Sequence, residues 1–380
     1  MLSWVLSSAL AGPVFESVAA ESDIGMGGNW ARFHAGSEGW WFFQMSGGNY
    51  WVEDVAPDFS GYNDRDRIQL SDHGTLQDAQ VDRCPDGGWL VLGSASVTTP
   101  NDSGYAFRAD ADFVFEGSVT IEEGVSDVYH NDMVPLCTDV ATGASFTTGD
   151  FGHSASVFFD LDGVVVGERH DVPVPGTGSS LAIRPSDQRI VAGWFGGAGS
   201  RDLRFTVFDP DWSVVEEYST TLPEHYALWT QRLIPLGDGW LLAHVLRPTE
   251  FDQPEGEIWI QALDAEFTIV DSIRVSPEGS TTNNRPWIAR RDNILAVSYD
   301  REVQPRMTYV TLASAAVPEG DDGVQDTAAP AGDGDTGGAD EPCGCATPGG
   351  AASGMVGIVL AGLLARRAQR PLSSPDRSNS

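Results

Sequence analysis

The chain contains no lysine: all 22 of its basic residues are arginine, set against 55 aspartates and glutamates. That absence excludes chemistry through a lysine Schiff base and the phosphate-binding lysine of a P-loop. A formal net charge of -33 argues against a nucleic-acid partner, because proteins hold polyphosphate through clustered cations. So much acid serves solubility first and divalent cations second. Histidine is also scarce. The seven present form neither His-Glu-x-x-His nor any paired metal spacing, and each reads as a surface or satisfied residue. Gly152-His153-Ser154-Ala155-Ser156 lacks the second glycine of a nucleophile elbow. No window sustains the i, i+3, i+4, i+7 spacing of an amphipathic helix. The motifs therefore name no catalytic set, no metal site and no cofactor.

What is present is a repeat. Apolar hairpins recur at Gly39-Trp40-Trp41, Gly88-Trp89-Leu90, Arg189-Ile190-Val191, Gly239-Trp240-Leu241 and Asn293-Ile294-Leu295. The steps between them are 49, 101, 50 and 54 residues. The long step is two periods, and a degenerate copy at residues 133–146 fills it. A second hairpin runs in phase with the first. Phe107-Arg-Ala-Asp110-Ala-Asp112 aligns with Val157-Phe-Phe-Asp160-Leu-Asp162, with Thr206-Val-Phe-Asp209-Pro-Asp211 and with Ile260-Gln-Ala-Leu-Asp264-Ala-Glu266. Each period thus holds two β-branched-rich hairpins bounded by Gly, Pro, Asp and Asn.

Four strands per period make one propeller blade, and a closed ring of blades leaves only short, protected edges. The expected fold is all-β, a β-propeller of about six four-stranded blades over residues 22–316. First hairpins begin near Ala31, Gln80, Asp132, Leu181, Gln231 and Trp287. Five or seven blades and a stacked β-solenoid are the alternatives. The sixth unit keeps Met307-Thr-Tyr-Val-Thr-Leu312 but has no clear second half. Closing the ring then requires a strand borrowed from the N-terminal segment, or shifted phasing. The pattern is similar to several bacterial propeller repeats with an Asp-x-Asp hairpin, without matching one in particular.

Asp160-Leu161-Asp162-Gly163 opens like a calcium loop but passes straight into Val164-Val165-Val166, so the recurring aspartates read as turn formers. Trp40, Trp89 and Trp240 share one repeat position, which suits packing between blades. Trp30, Trp229 and Trp287 precede the first strands and suit either core or rim packing or carbohydrate stacking. Propellers usually take ligands at one mouth of the channel, beside the loops entering the innermost strands. The candidate binding residues are therefore Arg32, Asp82, Asn131, Asp132, Gln231, Arg232, Asn284 and Arg285. Such a mixture either binds a sugar or peptide or pairs internally. Cys84 and Cys137 lie 53 residues apart, at matching places in adjacent blades; a disulfide and two buried thiols both fit.

The ends read as addresses. Residues 1–20 hold Leu2, Trp4, Val5, Leu6, Ala9 and Leu10 before Ser17-Val18-Ala19-Ala20. An apolar core followed by small residues suits a signal peptide cut near Ala19 or Ala20. A start further upstream, or a plain strand, is the alternative. At the other end an acidic Gly/Ala/Thr-rich linker, residues 317–342, leads to Cys343-Gly344-Cys345. Fifteen uncharged residues follow at 351–365, then Arg366, Arg367 and Arg370, and a last stretch at 371–380. As a helix those fifteen would reach ~22 Å, short of the ~30 Å hydrocarbon core, which suits a transient membrane hold with the arginines on the cytoplasmic side.

Residues 343–370 resemble the myxobacterial C-terminal sorting signal (MYXO-CTERM), departing from it only in the extra residues 371–380. The resemblance covers the tail alone. It implies cleavage near the cysteines, lipidation of Cys343 or Cys345, a sorting protease and a lipid anchor as partners, and residence at the cell surface or outer membrane. The expected function is a surface-anchored extracellular binding or scaffold module for glycan, peptide or protein partners. The alternative is a propeller-type polysaccharide hydrolase or lyase, which needs two or three acids, or a His with a Tyr or Arg, converging at one mouth.

Overall fold

The computed structural model describes residues 12–318 apart from 24–28, 37–38, 47–48, 57, 60–61, 69–75, 99–100, 113, 123–128, 140–141, 148–153, 160–168, 175–176, 196–200, 223–225, 248–255, 281 and 303. The chain divides into the units Met1–Gly332 and Asp333–Ser380. All described residues belong to the first, so the expected sorting signal and all but the first two residues of the expected linker lie outside them, as does the Asp160-x-Asp162 turn.

Every regular element among the described residues is a strand. The strands form six antiparallel sheets: five are meanders of four consecutive strands, and the sixth adds N-terminal strands to three consecutive ones. The first strands of the sheets are Asn29–Ala35, Leu76–Arg83, Tyr129–Cys137, Thr177–Arg184, Tyr226–Leu236 and Asn283–Arg291. Each packs beside the next, and the sixth packs beside the first. That cycle fixes the number of blades. The chain is a six-bladed β-propeller.

The sixth blade has only three strands of its own, ending with Gln304–Leu312. Its fourth place is taken by Phe15–Val18, antiparallel to Gln304–Leu312 with Phe15 opposite Leu312 and Val18 opposite Val310. Ser22–Asp23 continues along the same edge, opposite Met307 and Arg306. The borrowed N-terminal strand is thus the way the ring closes. It covers an edge that would otherwise present a row of unpaired backbone groups. It also lies within residues 1–20, so cleavage at Ala19 or Ala20 would remove it.

The core sits in the seams between blades. Leu233, Trp240 and Leu242 of blade 5 pack with Phe205 and Val207 of blade 4. Val134 and Leu136 of blade 3 meet Leu181, Ile190 and Phe208 of blade 4. Ala31, Phe33 and Trp40 of blade 1 meet Ala289 and Ala296 of blade 6. Both faces of each inner sheet are covered by neighbours, so Gly239–Arg247 is buried along its whole length. The Gly-Trp pairs of the repeat have a steric cause. A Cβ on Gly88 would lie 2.5 Å from the Ala109 carbonyl oxygen, and one on Gly239 2.3 Å from that of Leu263.

The aspartates of the second hairpins bond their own backbone. Asp110 Oδ1 accepts from the N–H groups of Asp112 and Val114, and Asp264 Oδ1 from those of Glu266 and Thr268, all within 3.0 Å. Three residues after the first position of this turn stands an aromatic in the left-handed region: Phe59, Trp212 and Phe267, with φ of 58°, 65° and 61°. Non-glycine residues visit that region at a cost. Here it lets the ring fold back into a seam. Phe267 stacks on Phe205 at 4.3 Å and on Trp240 at 5.5 Å, and Phe59 on Trp40 at 5.4 Å.

Cys84 and Cys137 are joined in a disulfide with Cα atoms 4.9 Å apart. The bond ties the turn after the inner strand of blade 2 to the end of the inner strand of blade 3. Closing a 53-residue separation constrains the unfolded chain by about 4 kcal/mol in the loop-entropy picture.

Candidate functional site

Each inner strand carries a register shift in its first half: Asn29/Arg32, Gln77/Gln80, Tyr129/Val134, Thr177/Ser180, Leu228/Gln231 and Asn284/Trp287. A bulge inserts residues into one strand, bends it and re-aims its side chains, which is why bulges gather beside functional sites. Six bulges at one level around the axis turn one end of every inner strand. The strand pairing then makes Arg32, Gln80, Ser180 and Arg232 equivalent: each precedes by three residues the partner of Trp40, Trp89, Ile190 or Trp240. All four are buried, in a layer just above the apolar layer of Phe33, Val81, Leu181 and Leu233.

Polar groups in and around this layer tie the seams. Ser180 Oγ accepts from Leu233 N–H at 2.8 Å, joining blades 4 and 5. Asp82 Oδ2 accepts from Cys137 N–H at 3.0 Å, joining blades 2 and 3 beside the disulfide. Trp287 Nε1–H donates to the Phe33 carbonyl at 2.8 Å, and Ser298 Oγ–H to that of Ala31 at 2.7 Å, joining blades 6 and 1. Asn283 and Gly256 exchange backbone hydrogen bonds between blades 6 and 5.

Toward the axis these residues gather on one aromatic ring. The guanidinium carbons of Arg32 and Arg232 stand 4.9 Å and 4.2 Å from the centre of the Trp287 indole. They come from the two blades that flank blade 6. Cations over an indole face are held by its quadrupole, more strongly when water is excluded. Arg232 Nη2 also reaches Asp82 Oδ1 at 3.9 Å. Blades 5 and 2 oppose each other in a six-membered ring, so this contact crosses the axis. His34 packs at 5.7 Å from Trp287 and 5.9 Å from Trp89.

Burial dominates the electrostatics of this cluster. It pushes Asp82 up to about 6, against the pull of Arg232 and the Cys137 N–H. It pushes His34 down to about 3, helped by Arg232 and opposed by a hydrogen bond to the Val81 backbone. It lowers Arg232 too, with Asp82 acting the other way. At neutral pH the cluster therefore holds cationic guanidiniums, an ionised Asp82 and an uncharged imidazole. Arg232 Nε and Nη1, His34 Nε2 and Gln80 Oε1 make no hydrogen bond there. Buried polar atoms are normally bonded, and a guanidinium cannot shed its proton.

Of the eight candidates from the sequence, Arg32, Asp82 and Arg232 come together in this cluster. Arg285 lies at its edge: its carbonyl accepts from Arg32 Nη1 at 3.4 Å and its guanidinium pairs with Asp300 at 3.1 Å. It occupies the blade 6 bulge with φ of 54°, its N–H bonded to Asn284 Oδ1 at 2.8 Å. Asn284 therefore acts locally on Arg285. Asn131, Asp132 and Gln231 stand on inner strands, with side chains outside the described residues. Trp287 is 2% exposed and its ring is the floor for the two guanidiniums. His34, expected as a surface or satisfied histidine, is buried here with Nε2 unbonded, and Gln80 joins it without any motif to announce it. Their signal was position alone, two residues from Arg32 and from Asp82 on the same strands.

Neither a protein-family profile nor any curated protein matches the chain. Among solved structures it is similar to a member of the DUF4221 family from Bacteroides vulgatus, with TM-score 0.45 and 11% identity over 79% of this chain and 97% of that one. It is similar too to a subtype N10 neuraminidase-like protein of A/little yellow-shouldered bat, with TM-score 0.47 and 9% identity over 78% and 99%. A third is the Dos1 propeller, with TM-score 0.38 and 9% identity over 71% and 75%. Likenesses at this level carry no argument about ligand or activity. The propeller stands on its own closed cycle of inner strands.

Proposed function

We propose that the chain is an exported, surface-anchored binding module whose ligand docks over the axial cluster of Arg32, Arg232, Asp82 and Trp287. Tail lipidation at Cys343 or Cys345 supplies the anchor in this reading. The observation that carries it is the pair of buried guanidiniums on Trp287, with Arg232 Nε and Nη1 lacking hydrogen-bond acceptors. In a chain of net charge -33, two cations converging on one aromatic favour a ligand bearing a carboxylate or similar anion, on a glycan, a peptide or a partner protein. Glycan and peptide arrays probed with the full chain and with Arg232→Met test this. The expected result is a set of acidic ligands bound by the wild type and lost in the variant; equal signals from both proteins, or none from either, would reject it.

A second reading, a propeller-type polysaccharide hydrolase or lyase, has one observation in its favour. An imidazole and a carboxyl, His34 and Asp82, both displaced far from their ordinary pKa values, share the cluster with arginines. Release of reducing or unsaturated sugar from acidic polysaccharide, abolished by His34→Gln, would favour it over binding alone.

A further inference from the structure

Processing of the N-terminus has to leave the propeller a fourth strand for blade 6. Val14 is fully buried and, with Phe15, packs among Leu236, Val310 and Leu312. The N–H groups of both donate to Asp271 Oδ2, at 2.8 Å and 3.3 Å. The Val14 carbonyl accepts from Ala313 N–H at 2.8 Å, and Ala19 N–H donates to the Tyr309 carbonyl at 2.9 Å. Thr308 Oγ1–H donates to the Ala19 carbonyl at 2.8 Å. Glu21 then accepts from the Tyr299 hydroxyl and from Arg301 Nη1 at 3.0 Å, with Arg306 Nε at 3.7 Å. This segment is held at both ends and along its middle. A cut after Ala19 or Ala20 would strip Val14 from the core and lay bare the edge of Gln304–Leu312.

The sequence offers an earlier place. The apolar run from Leu2 closes with Ala9-Leu10-Ala11, small residues at the first and third positions before Gly12. That is the pattern leader peptidases read. Gly12 and Pro13 are exposed, and burial begins at Val14. Both facts point to one bond.

We propose that the export leader is removed by hydrolysis of the Ala11–Gly12 peptide bond, and that residues 12–23 stay in the mature protein as its ring-closing strand. Water supplies the hydroxyl of the new Ala11 carboxylate and the proton of the new Gly12 amine, and a leader peptidase that reads small side chains is the catalyst. The position of the cut holds however far the leader extends upstream. The inference rests on the export part of the function proposed above.

The test is terminal-amine labelling and mass spectrometry of the full chain expressed in a host that exports it, with cell fractionation in parallel. The expected product has lost its first eleven residues and begins at Gly12. Exported protein that begins at Ala20 or Glu21 overturns the site and leaves export standing. Cytosolic protein that still begins at Met1 overturns both. Two variants keep the result independent of folding yield. Ala11→Phe should accumulate the uncut precursor, whereas Ala20→Phe, at an exposed position, should be cut as the wild type is. Normal cutting of the first, or a block in the second, counts against the assignment.

Discussion

Two junctions of this ring are fastened by different means. Blades 2 and 3 are locked by the Cys84–Cys137 disulfide, with Asp82 bonded to Cys137 N–H alongside. Blade 6 is completed by residues 12–23, held through strand pairing, a buried Val14 and the Glu21 carboxylate. The disulfide works by narrowing the unfolded ensemble, whereas the N-terminal strand works only in the folded state, by filling a core and covering an edge.

Removing residues 12–20 should have the largest effect. The uncovered edge of Gln304–Leu312 should pair between molecules, so the shortened chain elutes as oligomers in size-exclusion chromatography and melts without a cooperative transition. Cooperative melting of a monomer would show that three strands suffice in blade 6. Next comes Cys84→Ser, which should cost about 4 kcal/mol in urea unfolding by the loop-entropy relation while leaving the monomer intact. A reductant should destabilise the wild type equally and the variant not at all.

Smaller is the loss expected from Glu21→Gln. Hydrogen bonds to charged groups contribute about 1.5–3 kcal/mol each, and partial exposure of Arg301 and Glu21 brings the total toward the lower end. The melt should stay cooperative, which separates weakening of the closure from its removal.

The last effect is one of pH, read as a slope rather than as a single loss. Asp82, raised from 3.8 to about 6, contributes stability that is complete below 3.8 and lost as pH rises through 6. His34, lowered from 6.5 to about 3, contributes stability that is present above 6.5 and lost as pH falls toward 3. Between about 4 and 6 the two slopes oppose. Asp82→Asn removes one of them, so the difference between variant and wild-type stability should swing in favour of the variant by up to roughly 1.4 kcal/mol per pH unit as pH rises across that window. A parallel pair of Tm-against-pH curves would place the titration elsewhere.

Much of the architecture was legible along the chain because period and hydrophobic pattern are local. The Trp40, Trp89 and Trp240 positions marked equivalent hairpins, and the missing second half of the last unit left a borrowed strand or shifted phasing, between which the structure decides for the strand. The aromatic turn residues became visible only in the structure. Phe59, Trp212 and Phe267 follow their turns at a constant offset, but their left-handed backbone and their place in the seams depend on neighbouring blades. The axial cluster was half legible. Arg32, Asp82 and Arg232 are recognisable as lining residues from their place at the entry to inner strands; His34 and Gln80 are not, since a lone polar residue in a strand does not show what lies across the ring.

By itself the sequence determined the repeat, its four strands per period and the polarity of the turns, because alternation and turn chemistry act over a few residues. Which positions meet at the axis was decided only by closure. Arg232 and Asp82 are separated by three blades of chain, and Val14 by nearly the whole ring from the strands it completes. Contacts of that span exist only once every sheet has stacked on the next, so they belong to the tertiary structure and to nothing shorter.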